Sequence, residues 1–564
     1  MLVIGVIFCS LKCTSVGEYA TDSESIAKGE TLFQNNCSAC HNFKNSGIGP
    51  NLAGLTEEMP ATWIHQFIAN SQKMIAAKDQ RAVQLFEQYK QYMPAFEGIL
   101  QPEEIEQVLA YMNTFPKPII EASAANLGEP IENPIPEKIP LSDITLNLNY
   151  LTTAPPTADK PPLTRINTML PMPSKAKRLF INDLRGVLYE LKDKQLQPFL
   201  SIAETMPNFI HEPGKATGMG SFAFHPTFEK NGLFYTTHTE NPKIAAPADF
   251  GYADTIPVKV RWVLTEWKQN DPKSAVFKGT NRELLRIDMV TGIHGMQEIA
   301  FNPLAKPGDS DYGMLYVGLG DGGSVEQKYS LVQNKHTVWG SIIRIDPLGN
   351  NSKNGKYGIP TDNPYASDTD PLTAKEVWAR GFRNPHRMTW DTKGDGKMLA
   401  SDIGQHSIEE LNQILPGKNY GWAEREGTFV LNKRGDLHYM YPLPKDDQTY
   451  NFTYPVLQID HDEANAISSG YVYYGKKIPA LYGKYIFGDI VNGRVFCADA
   501  STFQLGKQAS VEEIQLHESG KKTDLETLTN DKRVDLRFGL DAEGELYLFT
   551  KADGKIYTIE SLNL

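Results

Sequence analysis

Residues 37–41 read CSACH, and no other five residues restrict the fold of this chain as tightly. Cys37 and Cys40 stand one helical turn apart, so each thiol can form a thioether to one vinyl group of a single haem. His41, next in the chain, then falls under the iron as an axial ligand. A zinc site needs a second ligand pair, and no further C-x-x-C or H-x₃₋₅-H is present. A redox dithiol would sit within a βαβ unit, which the flanking sequence lacks.

The surroundings read as a small helical domain over 24–116. Residues 25–33, SIAKGETLF, lead as a helix into the cysteines. Pro60 opens a second helix with Ile64, Phe67 and Ile68 on one face. Pro102 opens a third with Ile105, Val108, Leu109 and Met112. An electron-carrying haem takes a soft thioether as its sixth ligand, for which Met59, Met74 and Met93 compete. Met93 lies in YMPAF, where a stiff Met-Pro loop can hold sulfur over the iron.

CSACH, then IGPNL at 48–52, YMPAF, and a terminal helix containing Tyr111 together resemble a class I cytochrome c. That resemblance implies covalent haem c, with Cys37 and Cys40 as attachment points and His41 and Met93 as iron ligands. It also implies that the Pro50 carbonyl orients His41. Haem attachment of this kind implies a periplasmic or otherwise extracytoplasmic protein. The first residues, MLVIGVIFCSLKC, agree: residues 1–23 resemble the remainder of a secretory signal, with a lipid-anchored cysteine as the alternative.

At 564 residues the chain needs more than this one core. A net charge of −12 without Lys/Arg runs argues against nucleic-acid binding, and five cysteines are too few for a disulfide framework. Cys497, in GRVFCADA, reads as an inert buried thiol. Residues 117–164 are proline-rich and read as a semi-rigid linker. Beyond them one pattern recurs: an apolar strand ending in an aromatic, a polar turn, then Gly leading a second strand. Copies occur at 222–237, 299–321, 388–404 and 536–550, and their aromatics Phe224, Phe301, Trp390 and Phe538 stand 77, 89 and 148 residues apart. Units at 471–496 and 178–191 make six. Such repeats predict an all-β six-bladed β-propeller over 165–564, behind the small all-α domain.

The order FAFHP (222–226), His294, GLGDGG (318–323), GSIIRIDP, ARGFRNPHRM (379–388), DIGQ…EELN, NYGW (419–422) and SSGYVYYG resembles the glucose/sorbosone dehydrogenase family. These are six-bladed propellers that bind pyrroloquinoline quinone (PQQ). The resemblance implies that His294 is the general base for a sugar hydroxyl and that Asp321 supports it, chemistry that suits an imidazole titrating near neutrality. It implies that Arg383 and Asn384 contact the quinone, Arg383 also stabilising developing charge. The backbone carbonyls of Gly404 and Gln405 would hold Ca²⁺, a hard ion suited to oxygen ligands. The chain departs from the family pattern in three places. Ala216-Thr217 stands where a Gln is common, Tyr474 replaces a cofactor-binding cation, and His386 follows the RNP motif. Arg494 offers a compensating cation for PQQ.

The expected activity is oxidation of a sugar or another alcohol at the propeller. Electrons would pass through the tethered haem to a downstream acceptor such as a soluble cytochrome or a respiratory-chain component. The alternative is a non-catalytic propeller that binds carbohydrate or protein beside a separate electron carrier.

Overall fold

The computed structural model describes residues 19–43, 48–116, 127–214, 216–253, 255–433 and 435–561. The apolar start MLVIGVIFCSLKC, with Cys9 and Cys13, lies outside them. A small helical region comes first, followed by a large, mostly β domain. The helical region holds α1 (Ser23–Asn36), α2 (Leu55–Glu58), α3 (Ala61–Ala76), α4 (Gln80–Tyr89) and α5 (Pro102–Met112). Asp22 caps α1 by accepting the Ser25 N–H at 2.8 Å. At the start of α5, the Glu104 carboxylate accepts the Gln101 N–H at 2.7 Å. Ile105, Val108, Leu109 and Met112, the face predicted from spacing, are buried against Phe33, Ile64 and Ile68. Gly29 lets α1 cross α5: a Cβ there would lie 1.9 Å from the Gln107 carbonyl oxygen.

In the β domain, four-stranded antiparallel groups follow one another along the chain. Their first strands are Ile166–Pro171, Phe222–Phe224, Met296–Phe301, Pro385–Trp390, Ile467–Val472 and Leu536–Leu540. From Phe222–Phe224 onward neighbouring first strands lie side by side along this series, and the last, Leu536–Leu540, lies beside Ile166–Pro171. They carry the recurring aromatics: Phe224, Phe301 and Trp390 each close one, and Phe538 sits within another. The repeat at 178–191 belongs instead to the second and third strands of its group, Leu179–Asp183 and Val187–Lys192.

The linker expectation is corrected over part of its length. Leu141–Thr153 is a 13-residue strand. It pairs antiparallel with Lys555–Ser561 and parallel with Glu512–Glu518, so the start of the β domain completes the sheet made by its end. The reason is local. Pro140 and Pro155 bracket a proline-free stretch whose Leu146 and Leu148, two apart, are fully buried.

Antiparallel pairing decides where a site can form. The start of each first strand and the end of the second lie at the same edge of a group, so the residues just outside those ends converge from every group. The helical region covers that edge. Tyr89 sets its ring 4.9 Å from those of His406 and His438, Lys90 faces Asp462 at 3.7 Å, and Lys160 donates to the Ile99 carbonyl at 3.3 Å.

Candidate functional site

His294 immediately precedes the strand Met296–Phe301, and Asp321 follows the second strand of that group, Leu315–Leu319. Their imidazole Nδ1 and carboxylate Oδ1 lie 2.8 Å apart, with both side chains buried. Asp321 Oδ1 also accepts the Gly323 N–H at 2.8 Å, and Oδ2 accepts the Trp422 indole N–H at 3.0 Å. Burial would push this carboxyl up, but the His294 bond, the charge of Arg383 and the Gly323 bond hold it below the usual carboxylate range. An ionised Asp321 only accepts, so in the neutral imidazole of His294 the proton sits on Nδ1 and the lone pair on Nε2. His294 has φ +52°, a left-handed conformation in which its carbonyl accepts the Gly322 N–H of the GDGG turn at 3.2 Å.

Arg383 and Asn384 precede Pro385–Trp390, and their backbone N–H groups both donate to the Asp402 carboxylate, at 2.9 and 2.6 Å. The Arg383 guanidinium donates to Gln405 Oε1 at 2.9 Å, the Ile403 and Gly404 carbonyls at 3.2 and 2.6 Å, and Glu326 at 2.8 Å. Four of its five N–H donors are thereby used, which fixes the side chain in the cavity wall. Asn384 Oδ1 is buried without a partner.

His294, Arg383 and Asn384 line a cavity of about 200 Å³, with Asp321 behind His294, and so do Cys37, Cys40, His41 and Met93 of the helical region. His41 Nδ1 meets the Pro50 carbonyl at 3.0 Å, which leaves Nε2 as the coordinating atom. Burial lowers the imidazole's affinity for protons, which favours the neutral, ligating form. The ring lies so close to Gly49 that a Cβ there would come within 2.2 Å of Cε1. His41 and Met93 also line an adjoining apolar cavity with Phe33, Leu52, Ile64 and Met112. Of the three competing methionines, only Met93 lines these cavities among the described residues; Met59 packs in the helical core. A thiol pair, a backbone-oriented histidine and a facing thioether over an apolar cleft fit a covalently held haem.

Arg494 is corrected. Its guanidinium pairs with Glu463 at 2.9 Å and Glu513 at 2.7 Å and lies over the Phe496 ring, outside the cavity wall. The turn before Val495–Asp499 aims it along the sheet face instead of toward the site. Tyr474 also stays outside, donating its hydroxyl to Asp391. The expectation of calcium fits poorly. The Gly404 carbonyl carries a guanidinium N–H, so a divalent ion on that oxygen meets a like charge.

Sequence reasoning missed the cations that do line the cavity: Arg165, Arg533, Arg537 and Lys551. Lys551 follows the strand Leu546–Thr550; burial first, and then Arg537, push its pKa well below the usual lysine value, against Asp535. Burial and then Arg387 lower Arg537 to about 9. An anionic ligand would favour the charged form of both. His386 also faces the cavity, with a buried, unpartnered Nδ1. Burial, and after it the neighbouring arginines and Lys551, drive its pKa well down. Gln297 lies in the wall and donates to the Ala216 carbonyl at 2.7 Å, so an amide side chain reaches the place where a Gln had been expected at 216–217. One signal was available in RVDLR (533–537), whose charges alternate with apolar residues just ahead of a strand. The concavity and its buried cations fit an anionic, carboxylate-bearing ligand.

The sequence matches the Glucose / Sorbosone dehydrogenase family over residues 167–558 and the Cytochrome c family over 26–116. It is 27% identical to the HIPL2 protein of Arabidopsis thaliana, over 58% of this chain and 51% of that one. It is 24% identical to quinoprotein glucose dehydrogenase B of Acinetobacter calcoaceticus, over 42% and 45%. The chain thus spans about half the length of these curated relatives. A solved glucose dehydrogenase structure superimposes with a TM-score of 0.52 at 19% identity, covering 74% of this chain and all of that one, which supports the likeness of fold. With its first match covering more than half the sequence, the chain belongs to the glucose/sorbosone dehydrogenase family and carries a cytochrome c domain ahead of it.

Proposed function

We propose that this protein is an extracytoplasmic dehydrogenase that oxidises a sugar or another alcohol in the cavity of a six-bladed propeller and passes the electrons to its own haem c. One observation carries the reading: a single cavity is lined both by His294, which Asp321 holds from behind, and by Cys37, Cys40, His41 and Met93. The six consecutive strand groups support the blade count. Among the described residues no helix is long and apolar enough to cross a membrane.

The chain's residues divide the work. His294 lines the cavity, and its Nε2 is the lone-pair atom that takes the substrate hydroxyl proton. Asp321, pinned by Gly323 and Trp422, holds the tautomer and stabilises the imidazolium that results. Arg383 supplies fixed positive charge in the wall, where preorganised charge stabilises an oxygen gaining electrons. Lys551, Arg537 and the Asn384 amide are the groups that would hold PQQ, whose bound quinone supplies the two-electron acceptor. Oxidation of one alcohol to a carbonyl releases two protons and two electrons, and the haem accepts electrons one at a time. A carrier in the wall of the same cavity removes the need for a diffusing partner at this step.

Purified haem-loaded protein, incubated with PQQ with and without Ca²⁺, should show reduction of its haem band when an aldose or alcohol is added. No PQQ binding and no reduction with any such substrate would overturn the proposal and favour a binding propeller beside a separate carrier.

A further inference from the structure

The segment Arg533-Val534-Asp535-Leu536-Arg537 alternates sharply in burial. Val534 and Leu536 are fully buried in the β-domain core, and Arg533, Asp535 and Arg537 line the cavity. The chain turns at Asp535, whose φ is +51°, before the strand begins at Leu536, and all three charged residues reach the same cavity. Arg537 lies at the His386–Lys551 end of the segment. Arg533 lies at the other end, and it alone of the three also lines the pocket formed by Cys40, His41, Gly49 and Met93. Within the described lining of that pocket it is the only Lys, Arg, Asp or Glu side chain. Its charge is close enough to Cys40 for the two to interact, and Asp535 Oδ1 anchors its Nε at 3.1 Å.

We propose that Arg533, supplied by the β domain, sets the reduction potential of the haem held by the helical domain. The inference rests on the haem assignment alone and requires neither quinone nor substrate. Reduction adds one electron, so a fixed cation beside the haem stabilises the reduced form more than the oxidised form. Asp535 offsets part of the effect, and solvent screens part, since the Arg533 side chain is about one-third exposed. Arg533 acts through the haem as a positioning residue. It makes the haem a better acceptor only while the two domains are apposed, so the electron's downhill path is a property of the assembled chain and not of the cytochrome alone.

The test is potentiometric titration of the haem band in the full-length, haem-loaded protein without PQQ or sugar, comparing wild type, R533Q, R533K and D535N. R533Q should shift the reduction equilibrium roughly tenfold toward the oxidised form, about 59 mV for one electron. R533K should stay within about threefold of wild type. D535N should shift the other way, and added salt should shrink the gap between wild type and R533Q. The proposal is overturned if R533Q lies within twofold of wild type. It is equally overturned if R533K falls as far as R533Q, which would mark a structural role for the guanidinium. Should R533Q fail to accumulate with haem, D535N decides: a raised potential supports the proposal and an unchanged one overturns it. A chain that shows no covalent haem at all overturns both this inference and the assignment beneath it. A propeller that oxidises nothing leaves the potentials readable, so the two failures stay distinct.

Discussion

The Trp422 indole N–H and Asp321 Oδ2 lie 3.0 Å apart, on the carboxylate whose other oxygen meets His294. Trp422 comes from a loop 101 residues further along the chain and also lies beneath the Arg383 guanidinium, 5.8 Å from its ring. One side chain therefore sets two others. Trp422→Phe keeps the ring and removes the bond. Loss of one hydrogen bond to a buried carboxylate costs roughly 1.5–3 kcal/mol, so kcat for haem reduction should fall about 10- to 100-fold with KM little changed. An unchanged kcat would show that Gly323 and His294 hold Asp321 unaided.

The His294–Asp321 pair itself yields a sharper expectation. His294→Gln removes the only lone-pair nitrogen offered to the substrate by this pair, and Asp321→Asn no longer enforces the tautomer. Each should lower substrate-driven haem reduction by at least ~10²-fold, the usual scale for a positioned general base. The haem spectrum and the dithionite-reduced band should stay as in wild type. A parallel loss of the haem band would instead trace the defect to folding.

How much of this was legible in the sequence depends on how local each signal is. CSACH, Pro50 and Met93 could be read because haem ligation fixes short spacings, and the structure brings them to one cleft. His294, Asp321, Arg383 and Asn384 were reachable through the family motifs, and they line or support one wall. Lys551 was not legible, since it stands in an unremarkable turn after a strand, and Arg537 carried only the weak signal of RVDLR; both acquire meaning when the strand groups are brought together around one cavity. Arg494 misled for the reverse reason: its residue type was right, but a turn before the strand sends it to Glu463 and Glu513. Leu141–Thr153 was hidden by the prolines on either side, and its partners lie at the far end of the chain.

Lys551→Met tests the cofactor cations. A buried lysine with a strongly lowered pKa gains charge when an anion arrives, so the pair stabilises the complex more than the empty site. The variant should fold at least as well as wild type, because an uncompensated buried amine is replaced by an apolar group of similar length. Its affinity for PQQ should drop by about 10- to 100-fold, equivalent to roughly 1.5–3 kcal/mol for a charged hydrogen bond. Titration calorimetry on the haem-loaded protein measures this directly. Equal affinity would place the cofactor elsewhere in the cavity.

Met93→Leu should leave the haem covalently attached through Cys37 and Cys40 but remove the sulfur that faces His41. Thioether ligation raises the haem potential, so the variant should be harder to reduce, and its ferrous form should bind carbon monoxide at the opened position. Met59→Leu and Met74→Leu should do neither, because neither side chain lines the cavity. A carbon-monoxide-reactive haem in either of these two, and not in Met93→Leu, would reassign the ligand.

Glu298 links stability to pH. It lies buried in the strand Met296–Phe301, 3.3 Å from Arg387, and its pKa is pushed up to about 7 by burial, against the Arg387 charge and the Ser221 bond. The folded state thus keeps a proton on Glu298 that the unfolded chain releases near pH 4.5. Stability contributed by this group is therefore full below about pH 4.5, declines as the pH rises, and is gone by about pH 7. Linkage puts the total on the order of 3 kcal/mol. Glu298→Gln cannot titrate, so the difference in unfolding free energy between variant and wild type should move in favour of the variant from pH 5 to pH 8. Denaturant melts followed by tryptophan fluorescence at those two pH values measure that difference. A difference independent of pH would mean that Arg387 keeps Glu298 ionised in the folded protein throughout.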